Sequence, residues 1–145
     1  MKKGYVVLLT VLAILATTSV VFAANGGAPR VTTLSGSEVV PGPGDADGSG
    51  FAMVRLNQGQ ERVCWKINFE DVDDPFAAHI HQAPFGTNGG VVVPLSLGSG
   101  CADDVDQDLI KDIIQNPAGY YVQVHSTAFP GGALRGQLSN PGQSK

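Results

Sequence analysis

"GFAMVRLNQGQERVCWKINFE", residues 50–70, is the stretch in which the fold is most directly legible. Phe51–Leu56 alternates apolar and polar, with Ala52, Val54 and Leu56 on one side. "NQGQ" then turns the chain, and Arg62–Phe69 alternates again, with Val63, Trp65, Ile67 and Phe69 on one side. Successive side chains of a strand point to opposite faces, so two alternating runs joined by a short Gly-containing turn predict a β-hairpin. Both apolar sets should line one core, and Cys64 should fall on the opposite face.

Further short strands are expected at Val31–Leu34, Ala77–His81, Val91–Leu95, Tyr120–His125 and Ala133–Leu138. Pro94 sits near the end of its run and removes a backbone donor, which suits an edge strand. "DADGSG", residues 45–50, opens like a calcium loop with Asp45, Asp47 and Gly48. The twelfth position from Asp45 is Leu56, where such a loop needs Glu, so a turn is expected instead. "EDVDDP", residues 70–75, reads as a solvated acidic connection. "DDVDQDLIKDIIQN", residues 103–116, is different: Val105, Leu109, Ile110, Ile113 and Ile114 recur at helical spacing. Aspartates crowd its start, where the helix dipole favours them, and Pro117 and Gly119 lie just past its end. Seven short strands, Gly-rich turns and one helix predict an all-β Greek-key sandwich.

Ahead of this domain, Lys2 and Lys3 precede an apolar run, "YVVLLTVLAILATTSVVFAA", that ends in small residues. Val21 and Ala23 suit the −3 and −1 positions of a signal-peptidase site, so residues 1–23 read as a secretory signal. An uncleaved membrane anchor is the alternative, because the run is nearly long enough to span a bilayer. Residues 24–30 would then link to a domain over 31–139, with a tail over 140–145. Loss of Lys2 and Lys3 takes the net charge from −4 to −6. That balance argues against nucleic acid and anionic membrane surfaces as partners. Outside the cytoplasm, the two cysteines, Cys64 and Cys101, most simply pair as a disulfide. The other reading, a thiolate metal site, lacks any CxxC spacing.

The chain has three histidines, and two stand one residue apart in "AAHIHQAPFGTNGG", residues 77–90. On a strand, His79 and His81 share a face, about 7 Å apart, and can converge on one ion. His125 shares a face with Tyr121 and Gln123 in a strand that could neighbour the first. Three neutral imidazoles with an open position suit Cu(II) or Zn(II). The 82–90 loop could shape access. The bland alternative is that the histidines only pack or hydrogen-bond, since an HxH pair is a weak motif. Arg135, in "FPGGALRGQL", could guide an anion to a metal or pair with one of the aspartates. No GxSxG or phosphate-binding glycine loop is present.

Taken together, "LSGSEVVPG", "GSGFAMVRLN", "AHIHQAPFGTNGGVVVPL", "YYVQVHST" and "FPGGALRGQL" resemble the chordin-type (CHRD) domain from about Val31 to Ser139. The resemblance implies an extracellular β-sandwich. The growth-factor antagonism of chordin itself is not carried over, because chordin's cysteine-rich modules are absent. A more distant likeness is to copper–zinc superoxide dismutase, also a Greek-key sandwich, so the two resemblances together imply an immunoglobulin-like or superoxide-dismutase-like β-sandwich. His79, His81 and His125 match that family's copper ligands in order and motif, and Arg135 matches its anion-guiding arginine in position. The bridging histidine and the zinc ligands have no counterpart, and Cys64 and Cys101 do not match its disulfide.

These observations together predict an exported protein with one copper ion, zinc being the alternative, on His79, His81 and His125. Superoxide is the implied small-anion substrate and Arg135 its guide. A non-catalytic secreted binding domain and a zinc-hydroxide hydrolase are the rival readings.

Overall fold

The computed structural model describes residues 26–143, so the expected signal segment lies outside the described residues. Among those described, no helix is long and apolar enough to cross a membrane. Eight strands form one continuous antiparallel sheet: β1 (Ala28–Ser35), β2 (Ser49–Asn57), β3 (Arg62–Glu70), β4 (Pro75–Gln82), β5 (Gly90–Leu95), β6 (Ser99–Ala102), β7 (Tyr120–Ser126) and β8 (Leu134–Gln137). Their spatial order is β5-β4-β7-β8-β1-β2-β3-β6. The seam between β8 and β1 is thin, a pairing of Ser35 with Arg135 and an isolated bridge from Val31 to Ser139. There the sheet folds over, and β5-β4-β7-β8 packs on β1-β2-β3-β6 as a β-sandwich-like fold around one core.

The hairpin forms as the alternation predicts. Val54 pairs with Trp65 and Ala52 with Ile67 across β2 and β3. Ala52, Val54, Leu56, Val63 and Ile67 are at most 2% exposed. Ala78, Ile80, Val122, Val124 and Leu134 face them from the other layer. β5 lies at the sheet edge with Pro94 in it, where the missing donor is harmless.

The helix, α1 (Gln107–Gln115), starts later than the acidic run suggests. Asp106 is its N-cap, and its side chain accepts from Leu109 N at 2.8 Å. Val105 lies before the cap yet still packs on the core. Ile110 and Ile113 are fully buried in the core. Arg30 donates to Ile114 O at the C-terminal end, where a cation meets the negative pole of the helix.

Two elements depart from the expectation. β1 begins at Ala28, inside the stretch expected to be linker. An eighth strand, β6, runs through Ser99–Ala102, where small residues hide any alternation. It is held from outside: Cys101 pairs with Cys64 across β3 and the two form the expected disulfide. Gly100 lies so close under Trp65 that a Cβ there would stand 2.7 Å from the indole.

Candidate metal centre

The outer face of β4, β7 and β8 is unusual for a small domain because polar side chains fill it and are nevertheless buried. His81, Gln123, His125, Arg135 and Gln137 are all at most 8% exposed. Burying polar groups is costly unless they are hydrogen-bonded. Here two loops lie over the face and present backbone carbonyls to it. Residues 83–89 supply the carbonyls of Ala83, Pro84, Thr87 and Gly89. Residues 127–133 supply those of Pro130 and Gly131.

The three histidines meet on this face. β4 and β7 are adjacent, with Ala77 opposite His125 and His81 opposite Tyr121, so the His125 imidazole swings toward the HxH pair. His79 Nδ1 lies 3.1 Å from His125 Nε2. Ring centroids are 4.9 Å apart for His79 and His125, 5.6 Å for His79 and His81, and 5.9 Å for His81 and His125. One ring nitrogen from each histidine falls within 4.8 Å of the others.

The loop carbonyls decide which nitrogens these are. His81 Nδ1 lies 2.9 Å from Gly89 O, and His125 Nδ1 lies 3.0 Å from Pro130 O. A carbonyl can only accept, so both Nδ1 atoms carry the proton and both Nε2 atoms keep a lone pair free. His125 Nε2 meets His79 Nδ1. His81 Nε2 is buried and has no hydrogen-bond partner among the described residues. A buried, orphaned imidazole lone pair calls for an explanation, and a cation at the centre of the cluster supplies one.

The set fits a metal in chemistry and nearly in size. Ligand nitrogens about 2.0–2.1 Å from one ion stand at most about 4.2 Å apart, so the 4.8 Å spread needs contraction by about half an ångström. Second-sphere carbonyls on the far ring nitrogens are the usual means of orienting metal-binding imidazoles. Burial lowers the proton affinity of His79 and His81, and the neighbouring imidazoles lower it further. The ligating neutral form is therefore favoured at neutral pH.

Arg135 stands on β8, on the other side of Tyr121 from His81. It is fully buried. Its guanidinium carbon is 3.6 Å from the Tyr121 ring centroid, and the His81 ring stacks on the same tyrosine at 4.9 Å. It donates to Thr87 O at 2.9 Å, to Pro84 O at 3.1 Å and to Gln137 Oε1 at 3.2 Å. These bonds go to loop carbonyls and an amide, not to an aspartate. Tyr121 and Gln123 were marked by their place on the His125 face, and Arg135 by its motif, whereas Gln137 carried no signal. The Gly89 and Pro130 carbonyls had no signal beyond the Gly/Pro richness of the loops beside the histidine strands.

A separate surface cavity of about 410 Å³ lies over the disulfide, lined by Arg55, Asn57, Arg62 and Trp65 among others, and shares no residue with the histidine cluster.

No curated protein and no solved structure matches the chain. The family model for the CHRD domain matches residues 30–138, nearly the whole described sandwich and all three histidines, and the chain belongs to the CHRD domain family.

Proposed function

We infer that this chain is an exported CHRD-domain protein that holds one copper ion through His79, His81 and His125. Membership of an extracellular domain family, the disulfide and the signal-like leader support export. The observation that carries the metal reading is the orphaned, buried Nε2 of His81 beside two further imidazoles, with two tautomers set by backbone carbonyls. The donor set is all nitrogen and carries no charge. Such a site ranks copper above zinc among divalent ions, and three protein ligands leave a position open.

Copper in such a site supplies one-electron exchange between Cu(II) and Cu(I), the chemistry that superoxide dismutation needs. This chain's residues contribute the rest. His79 is the half-buried member and the route by which a small anion reaches the cluster. His81 and His125 are nine-tenths buried and hold their orientation. The Arg135 charge, behind Tyr121, makes the face more favourable to superoxide than the net charge of −6 left after loss of Lys2 and Lys3 would.

The test is copper titration of the metal-free mature protein followed by EPR, beside a His79→Ala/His81→Ala variant. A one-to-one type-2 signal with nitrogen hyperfine structure, absent in the variant, supports the centre and makes a superoxide assay the next step. No specific signal ends the copper reading and leaves a secreted binding domain. A signal without dismutation leaves a metal-holding domain.

A further inference from the structure

The loop over residues 83–89 has little of its own to hold it in place. Residues 84–88 are exposed, Phe85 among them at 67%. With its tip so exposed, the loop is fixed largely by polar contacts. Those contacts come from β7 and β8. Arg135 grips the carbonyls of Pro84 and Thr87, and Gln137 Nε2 donates to Ala83 O at 2.7 Å. Tyr121 OH donates to Asn88 Oδ1 at 3.1 Å and accepts from Gly89 N at 3.0 Å. The same loop then presents Gly89 O to His81 Nδ1.

We propose that Arg135 is a positioning residue for His81: by clamping the 83–89 loop from behind Tyr121, it places the Gly89 carbonyl that keeps the His81 proton on Nδ1 and turns Nε2 to the metal position. Its importance for metal binding rests on the copper reading above; the tautomer does not. The hydrogen-bonding geometry explains why the residue is arginine. Only a guanidinium has donors spread widely enough to reach two carbonyls and an amide oxygen while lying flat on a ring. A buried cation would otherwise be a poor choice, since an apolar side chain of that size fills the same space without desolvation cost.

The experiment reads the tautomer directly. Two-dimensional ¹⁵N–¹H spectra of the histidine side chains are recorded on the metal-free mature protein, on Arg135→Met and Arg135→Lys, and on Tyr121→Phe. Arg135→Met keeps the packing volume and removes every donor, so it is expected to fold. Tyr121→Phe keeps the ring stack and removes the hydroxyl's contacts to Asn88 and Gly89. The wild type is expected to show His81 protonated at Nδ1. Arg135→Met and Tyr121→Phe are expected to show both tautomers, and Arg135→Lys a smaller mixture. Copper affinity should fall about 10- to 100-fold in Arg135→Met, the range for loss of an outer-sphere partner. A folded Arg135→Met or Arg135→Lys with an unmixed Nδ1–H tautomer and copper affinity within twofold of wild type overturns the proposal, as does an unmixed tautomer in Tyr121→Phe. If the wild type binds no copper, the metal reading fails and the spectra still decide the role of Arg135.

Discussion

His79 Nδ1 and His125 Nε2 lie 3.1 Å apart although 46 residues separate them in the chain. Two neutral imidazoles at that distance can share one proton, with His79 donating, or can both turn lone pairs to a cation. Because Pro130 O already takes the His125 Nδ1 proton, the choice between these states rests with His79 alone.

Loss of His125 should therefore abolish the site more completely than loss of any supporting residue. His125→Ala should weaken copper binding by more than about 100-fold, beyond the 10- to 100-fold typical of an outer-sphere partner. Competition against a chelator of known affinity measures it. An affinity within tenfold of wild type would remove His125 from the ligand set.

Acidification should destabilise the metal-free protein. Burial holds His79 and His81 below the ordinary 6.5, so between the folded values and 6.5 the unfolded chain binds more protons. Stability from this source is complete above about pH 6.5 and declines as pH falls through that window. Urea midpoints at pH 7.5 and pH 5 should show the loss, and His79→Ala/His81→Ala should flatten it. An equally steep variant would place the titration elsewhere.

The disulfide joins Cys64 to Cys101 across a separation of 37 residues. In the chain-entropy model such a loop contributes about 4 kcal/mol. Reduction, or Cys64→Ser/Cys101→Ser, should lower Tm by about 15 °C and release β6 first, because that four-residue edge strand has little else to hold it. Trp65 fluorescence should change with it, since Gly100 packs against the indole. A Tm shift under 3 °C would contradict this account.

Tyr120 is 1% exposed, and its hydroxyl donates to Asp112 Oδ2 while accepting from Gln82 Nε2 at 3.0 Å. Tyr120→Phe leaves both partners to water or to each other and should cost about 1–2 kcal/mol. Denaturant unfolding checks this, with copper binding expected to stay within twofold.

Gly136 sits at the seam where β8 meets β1. A Cβ there would stand 2.1 Å from Thr33 O, a backbone atom that cannot yield without moving the strand. Gly136→Ala should destabilise the fold by about 2 kcal/mol or more, by the cost of overpacking a tight site. Thermal melting shows whether the seam tolerates it.

Strand periodicity in β2, β3, β4 and β7, the helix with aspartates at its start, and the common side of His79 and His81 all follow from local sequence. Each depends on residues within a few positions of one another, where alternation or helical spacing is enough. β6 was not legible, because Ser99–Ala102 has no pattern of its own and is a strand only because Cys101 and Gly100 meet β3. The meeting of His125 with the HxH pair needed the crossover that sets β7 beside β4. Which imidazole nitrogens face the centre, and that Arg135 lies behind Tyr121, depended on two loops folding over the sheet to offer carbonyls. Those bonds run between backbone and side chains as much as 54 residues apart, as from Gln137 to Ala83, and no local pattern records them.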